Sequence, residues 1–207
     1  MKENYKEKSK AHFEKYAEGY DESYIGKFVA PMYGEILRRV KALNPGTLLD
    51  VGCGTGNILL PLSASGNINL YGLDISGNMI EVAGEKLGDK AELKVGDSES
   101  MPWEDGMFDA IICNASFHHY PHPKKVLLEM KRLLKKDGTL VIGDPTAPVI
   151  MRQLMNFCTK HKLFYEGDYR IYSKKEIETL LRECGFEPFN FTKISYKSFA
   201  INAKIKE

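Results

Sequence analysis

Short apolar runs alternate with amphipathic stretches through the middle of the chain. The apolar runs have the length and spacing of buried strands, and they lie at 47–51, 69–73, 91–95, 108–113 and 139–142. Stretches with helical spacing of apolar residues lie between several of them, at 57–65, 77–87 and 123–135. Strands separated by helices indicate an α/β fold, with a parallel sheet whose two faces are both covered by helices.

The pattern changes in the last third of the sequence. A turn is predicted at 136–138, where Lys-Asp-Gly precedes the fifth strand, and a further helix is predicted at 174–183. Strands follow at 186–193 and 198–204. The few residues between these two strands cannot hold a crossover helix, so the strands are expected to pair antiparallel at one sheet edge. The prediction is a seven-stranded, mostly parallel sheet with an antiparallel C-terminal edge hairpin.

Residues 10–44 stand apart from the alternating pattern. They are predicted to be helical with breaks near Gly19 and Gly26, whereas the charged residues 1–9 are expected to be frayed. Aromatic residues recur in this segment at steps of three, four and four, which places them on one helix face. These residues are Phe13, Tyr16, Tyr20 and Tyr24.

A second irregular segment, 145–172, is rich in Met, Phe and Tyr. A stretch of this length without a regular pattern is typical of a lid or binding element. We therefore expect a single domain over 1–207, with 10–44 as a helical N-terminal lid and 145–172 as a small cap insertion.

Composition and charge narrow the class of protein. Of the 207 residues, 43% are hydrophobic and 28% are charged, as in ordinary globular domains. The formal net charge of +1 gives no general attraction to nucleic acid or to an anionic membrane. Residues 1–10 lack a signal-peptide core, no apolar run approaches the roughly 18 residues of a membrane span, and the four cysteines form no C-x-x-C pair. A cytoplasmic protein with reduced cysteines and no membrane insertion is expected.

The most informative segment is Thr-Leu-Leu-Asp-Val-Gly-Cys-Gly-Thr-Gly at 47–56. A buried strand there leads into a glycine-rich turn, where the absence of Cβ atoms lets backbone N–H groups approach a ligand. Asp74 ends the next strand, at the spacing where α/β nucleotide sites bind ribose hydroxyls. The glycines read G-x-G-x-G rather than G-x-G-x-x-G, because position 57 is Asn57, and this weakens a dinucleotide interpretation.

Further polar residues end other predicted strands. Asp50, Asp74, Asp97 and Asn114 all follow apolar runs. Ligands of open α/β sheets bind outside the carboxyl ends of the strands. Four such residues in phase on one sheet edge therefore indicate a ligand site.

These motifs resemble those of the class I S-adenosylmethionine-dependent methyltransferases, most closely the small-molecule branch related to the ubiquinone and menaquinone biosynthesis methyltransferases. The resemblance is carried in order by Leu-Leu-Asp-Val-Gly-Cys-Gly-Thr-Gly (48–56), Gly-Leu-Asp-Ile-Ser (72–76), Gly-Asp-Ser-Glu-Ser-Met-Pro-Trp (96–103), Phe-Asp-Ala-Ile-Ile-Cys-Asn (108–114) and Leu-Leu-Lys-Lys-Asp-Gly-Thr-Leu (133–140). It implies a Rossmann-like fold, S-adenosylmethionine as cofactor, and methyl transfer to a small-molecule acceptor by in-line displacement. Proximity and orientation would supply most of the rate enhancement.

The resemblance also implies a role for individual residues. The backbone of the glycine turn would hold the amino acid half of the cofactor through Gly52, Cys53 and Gly54. Asp50 would lie beside this turn and contact the same half. Asp74 would bind the ribose hydroxyls, and Ile75 and Met79 would enclose the adenine. Further contacts to adenine and methionine would come from Asp97, Ser98 and Asn114, and the lid residues Tyr16 and Tyr20 would close over the cofactor.

Structural roles remain open for several of these residues. Asp50 would equally serve to hold the glycine turn, and Asp97 and Asn114 are residue types that favour turns and caps. Met79 is equally suited to a helical core position. Only Tyr16 and Tyr20 of the aromatic series gain a ligand role from the resemblance.

Three histidines follow the fourth strand, in Phe-His-His-Tyr-Pro-His at 117–122. His119, or its neighbour His118, is a candidate general base because imidazole titrates near neutral pH. A structural contact to the lid is the competing interpretation. No metal is expected, since adjacent histidines without a second cluster do not match zinc-site spacing.

Three other functions remain open at this point. An NAD(P)-dependent oxidoreductase would use a related sheet, and a non-catalytic S-adenosylmethionine-binding module would share the same motifs. A nucleic-acid methyltransferase is disfavoured because strand four ends in Asn-Ala-Ser-Phe and no basic tail is present.

Overall fold

The computed structural model describes residues 3–64, 66–161 and 168–206. Seven helices lie within these residues: α1 (Glu3–Tyr16), α2 (Tyr24–Leu43), α3 (Leu59–Ser63), α4 (Gly77–Leu87), α5 (Pro123–Leu133), α6 (Val149–Lys160) and α7 (Lys174–Glu183). Seven strands accompany them: β1 (Thr47–Val51), β2 (Asn69–Asp74), β3 (Ala91–Val95), β4 (Phe108–Asn114), β5 (Leu134–Pro145), β6 (Phe186–Ser195) and β7 (Ser198–Ile205). Short 3₁₀ turns occupy 17–19, 88–90 and 117–119.

The strands form one sheet in the order β3-β2-β1-β4-β5-β7-β6. The first five pair in parallel, and β7 joins β5 antiparallel with β6 outside it. The predicted Rossmann-like, mostly parallel sheet with an antiparallel C-terminal edge hairpin is therefore confirmed. Because the strand order reverses between β1 and β4, the carboxyl ends of these strands flank the crevice where open α/β sheets bind ligands.

Two hydrophobic clusters cover the two faces of this sheet. One contains Ile36 of α2 and Leu48 of β1, and the other contains Leu127 of α5 and Ile111 of β4. Within the described ranges, no helix has both the length and the apolar character needed to cross a bilayer.

The N-terminal segment differs from its prediction. Residues 3–9 belong to α1 rather than being frayed, and the helix is anchored by tertiary contacts that local sequence does not reveal. Glu14 accepts hydrogen bonds from the backbone N–H groups of Gly77 and Asn78 at the start of α4, at 2.9 and 3.3 Å. A carboxylate at a helix N-terminus is stabilised by the unpaired N–H groups and the helix dipole there.

The predicted break at Gly26 is also wrong. Gly26 lies in the first turn of α2, where its N–H donates to the Ser23 side chain that caps the helix. A Cβ at this position would lie 2.2 Å from the carbonyl oxygen of Tyr20, so glycine permits a close chain approach here rather than breaking a helix. The chain instead turns between α1 and α2, and this separates the aromatic series: Tyr16 and Tyr24 are 45% and 81% exposed.

The predicted turn at 136–138 lies inside β5. The pairing of β4 with β5 runs from Phe108 with Leu134 directly to Ala110 with Thr139, so the intervening residues form an irregularity in a longer strand. Of the cap segment 145–172, α6 is described, whereas Phe164 and Tyr165 lie outside the described residues.

A buried arginine joins α2 to the edge hairpin. The Arg39 side chain is 1% exposed, and its guanidinium donates to the Glu35 carboxylate, to the Asn202 side chain and to the carbonyl oxygen of Asn190. Removing one member of a buried charged network leaves the other groups desolvated and unpaired.

We expect Arg39→Ala to lower the free energy of unfolding by about 1–3 kcal/mol, because the Asn202 side-chain oxygen and the Asn190 carbonyl oxygen lose their hydrogen-bond donor. Urea denaturation measures this loss. Arg38→Ala is the matched control, since Arg38 binds the same Glu35 from an exposed position, and it should change stability little. Equal losses of stability in Arg39→Ala and Arg38→Ala would contradict a stabilising role of the buried Arg39 hydrogen bonds.

Candidate functional site

A cavity lies at the carboxyl ends of the parallel strands, at the point where the strand order reverses. We call it the strand-end cavity. It is lined by all but one of the predicted site residues: Asp50, Gly52, Cys53, Gly54, Asp74, Ile75, Met79, Asp97, Ser98, Asn114, Tyr20 and His119. The structure thus brings together side chains from five separate segments of the sequence.

Tyr16 is the exception. Its ring packs against His12 at 4.8 Å between centroids, and its side chain does not reach the cavity. Phe13 of α1 and Tyr20, which follows the 3₁₀ turn after α1, line the cavity instead.

Asp74 holds the glycine loop in place. Its carboxylate accepts hydrogen bonds from the backbone N–H groups of Gly54 and Ser76, both at 2.9 Å. The N–H groups of Gly52 and Cys53 donate to the carbonyl oxygen of Leu73 at 2.8 and 3.0 Å. The end of β2 therefore fixes the loop.

Two positions of this loop, Gly52 and Gly54, require glycine for different structural reasons. Gly52 has φ +75°, and a Cβ there would lie 2.0 Å from the Ser116 hydroxyl, so only glycine permits this contact between the β1 and β4 loops. Gly54 has φ +52° and open space where a Cβ would point. Gly54 therefore leaves a backbone surface against which a ligand can pack.

Asp50 and Asn114 are buried beside the loop, and each has a side-chain oxygen without a hydrogen-bond partner in the described structure. Unpaired buried oxygens are uncommon and costly in folded proteins. Burial, and secondarily the nearby Asp74 carboxylate, raises the pKa of Asp50 to about 8. A ligand that carries positive charge and N–H donors would satisfy these oxygens.

Asp97 has both a turn role and a place in the cavity wall. One carboxylate oxygen accepts from the backbone N–H of Glu99 at 2.9 Å, and the other pairs with Lys6 of α1 at 2.7 Å. Lys6 also pairs with Glu99 at 2.7 Å. These ion pairs, with the Glu14 contact to α4, fasten α1 across the mouth of the strand-end cavity. Met79 likewise is a core residue, 1% exposed, that also lines the cavity.

A second cavity of about 460 Å³ adjoins the first, and we call it the outer cavity. Its own lining is largely apolar and aromatic and comes from α2, α6 and the loop between β6 and β7: Tyr24, Ile25, Phe28, Met151, Met155 and Tyr196. Five residues line both cavities: Phe13, Tyr20, Val29, Ala115 and His119. The two cavities are therefore neighbours with a common wall.

The histidine pair lies at this wall. His118 Nδ1 is 2.8 Å from Asp144 Oδ1, and both side chains are buried. Burial lowers the pKa of His118, but the charge of Asp144 outweighs this and leaves the pKa above its usual value. The sequence reasoning did not include Asp144, although it ends β5 in the same way that Asp74 ends β2. Other residues missed by that reasoning, Lys6 and Phe13, are placed by α1, which only the tertiary structure positions.

Comparisons with known proteins agree with this geometry. Residues 49–142 match the family model described as "Methyltransferase domain". An uncharacterized protein of Methanocaldococcus jannaschii is 32% identical over 89% of this chain and 85% of its own length. The demethylmenaquinone methyltransferase of Thermotoga maritima is 29% identical over 73% of this chain and 75% of its own length. A crystal structure of an S-adenosylmethionine-dependent methyltransferase from Aquifex aeolicus superposes with a TM-score of 0.67 at 25% identity, covering 84% of this chain and 89% of that one.

The chain belongs to the class I S-adenosylmethionine-dependent methyltransferases. It is an enzyme that uses S-adenosylmethionine as methyl donor. The residues of the strand-end cavity fit this cofactor, since the open surface at Gly54 and the unpaired oxygen of Asp50 suit its amino acid half and its positive charge.

The raised pKa of Asp50 predicts a pH-dependent stability. The unfolded chain releases this proton near pH 4, whereas the folded protein retains it up to about pH 8. The free energy of unfolding of the wild type should therefore fall, relative to Asp50→Asn, as pH rises from 5 to 8. Urea denaturation at several pH values measures the difference. A difference between the wild type and Asp50→Asn that stays constant over this pH range would contradict the buried, protonated state of Asp50.

Proposed function

We propose that this methyltransferase transfers the methyl group of S-adenosylmethionine to a small molecule that binds in the outer cavity. The supporting observation is the common wall of the two cavities, which would place an acceptor beside the cofactor's methyl-bearing end. The sulfonium group of the bound cofactor supplies an electrophilic methyl group. The protein therefore needs mainly to orient the acceptor and exclude water, and proximity alone is worth roughly 7–11 kcal/mol.

In this proposal Asp74 binds the ribose hydroxyls while it continues to hold Gly54. The remaining cofactor contacts come from the cavity residues described above. Asp97 would share its carboxylate between Lys6 and the adenine amine, since its oxygens already have partners. His119, which lines both cavities, stays our candidate general base for an acceptor whose proton must be removed.

The proposed domain organisation follows from the same contacts. Residues 1–207 form one domain, in which 10–44 act as a lid through Phe13 and Tyr20, and 145–172 act as a cap through Met151 and Met155. The four free cysteines and the small net charge favour a cytoplasmic location and an acceptor other than nucleic acid. The apolar lining of the outer cavity favours an apolar or planar acceptor, and the relative from Thermotoga maritima is named for such a substrate, demethylmenaquinone.

We expect Asp74→Ala to weaken S-adenosylmethionine binding by more than about tenfold, because the carboxylate is lost both as ribose acceptor and as loop anchor. Isothermal titration calorimetry measures the dissociation constant, and circular dichroism checks that the variant is folded. Asp89→Ala, an exposed residue away from the cavity, is the control and should bind as the wild type does. A folded Asp74→Ala variant with unchanged affinity would reject the assignment.

The acceptor class is tested with methyl-labelled S-adenosylmethionine and cell extract. We expect label in the low-molecular-mass fraction after incubation with the wild type, and about tenfold less label or lower with Asp74→Ala when S-adenosylmethionine is kept below the wild-type dissociation constant. Label confined to nucleic acid or protein fractions would overturn the small-molecule proposal while leaving the methyltransferase assignment intact.

A further inference from the structure

Three side chains with metal-binding atoms meet in the wall of the outer cavity. His118, His119 and Asp168 each contribute one ligand-type atom, and these atoms lie within 4.8 Å of one another. All three residues line the outer cavity. Asp168 comes from the cap, about 50 residues beyond the histidines, so the sequence did not associate it with them.

The distances resemble those between ligands of one metal ion. His118 Nε2 lies 3.5 Å from Asp168 Oδ1, and His119 Nδ1 lies 3.4 Å from the same oxygen. Zinc binds imidazole nitrogens at about 2.0–2.1 Å and carboxylate oxygens at about 2.0–2.2 Å, so two ligands of a tetrahedral site are about 3.4 Å apart. These separations also exceed the usual hydrogen-bond length, which leaves room for an ion between the groups.

The surroundings hold the three residues in position. Asp144 Oδ1 accepts from the Nδ1 side of His118 at 2.8 Å, which directs Nε2 toward Asp168. A carboxylate behind a histidine is the usual second partner of a metal-binding imidazole. The backbone N–H groups of Tyr169 and Arg170 both donate to the carbonyl oxygen of His118, at 2.8 and 3.0 Å, and so fasten the cap segment beside the histidines.

We propose that His118, His119 and Asp168 bind a divalent transition metal ion of the zinc type, with Asp144 as the positioning residue. Two imidazoles and one carboxylate match the ligand preference of zinc and its neighbours rather than that of magnesium or calcium. The remaining coordination position faces the outer cavity. This last step rests on the proposed function: a metal held there would lower the pKa of an acceptor hydroxyl bound to it, as it does for bound water, so that the hydroxyl releases its proton to solvent before its oxygen attacks the methyl group. His119 would then act as a metal ligand instead of the general base, and the site favours an oxygen acceptor.

The test is direct titration of the tag-free, chelator-treated protein with zinc chloride in calorimetry, and with cobalt chloride in visible absorption. We expect one saturable site per chain and the d–d absorption bands of cobalt bound to nitrogen and oxygen. Asp168→Asn and His119→Gln should each weaken binding by at least tenfold, and Asp144→Asn should weaken it by roughly 10–100-fold.

His122→Gln is the matched control. His122 lies in the same loop and pairs with a carboxylate, Glu99, at 2.8 Å, but it is not in the cluster. It should leave zinc affinity unchanged. The Asp168 side chain is one-third exposed, so Asp168→Asn should fold normally. It therefore tests the site even if a variant of a buried histidine fails to fold.

The possible results of the zinc titrations either support the metal site or overturn it. Loss of zinc binding in Asp168→Asn and His119→Gln, with retention in His122→Gln, supports the site. Absence of saturable binding, or binding that the cluster variants leave unchanged, overturns it. S-adenosylmethionine titration of the same metal-free protein reports on the proposed function independently, so the failure of one proposal does not imply the failure of the other.

Discussion

The strand-end cavity depends on one carboxylate. Asp74 accepts the N–H groups of Gly54 and Ser76 and thereby ties the glycine loop after β1 to the start of α4. Glycine loops lack side chains that would pack them in place, so an external acceptor must fix their backbone. With that loop fixed, Gly54 presents an open surface and Asp50 is held buried beside it. Burial in turn raises the pKa of Asp50, which makes this position responsive to a cationic ligand.

Hydrogen bonds and ion pairs of charged side chains also hold α1 in place. Glu14 accepts from the first N–H groups of α4, and Lys6 pairs with Asp97 and Glu99 beyond β3. Both contacts use groups at the carboxyl edge of the sheet, where parallel strands and helix N-termini concentrate unpaired polar groups. The N-terminal segment therefore packs on the edge where the strand-end cavity lies, and its aromatic residues Phe13 and Tyr20 form part of the wall between the two cavities.

Much of the fold was predictable because its strands and helices follow from short-range patterns of apolar residues and helix caps in the sequence. Strands β1, β2 and β3 begin and end where their apolar runs do, within a residue, and α7 begins at a serine that forms a capping box with Glu176. The errors occurred where long-range contacts override local preference. Residues 3–9 are helical, and Lys6 among them pairs with Asp97, some 90 residues away. Residues 136–138 lie within β5 between its pairing with β4 at Leu134 and at Thr139. Tyr16 packs against His12 of its own helix and lies outside the cavity, a difference that the step-of-three spacing from Phe13 does not predict.

The sequence alone determined the strand and helix order, the glycine loop and the acids that end the strands, since these follow from residue type and short spacing. It thereby determined the cofactor class. Only the tertiary structure decided which side chains share a cavity: it brought Asp144 and Asp168 to the histidines, and placed α1 against Asp97. The physical reason is that burial, pairing of charges and cavity walls arise between segments distant in the chain, and no local pattern records them.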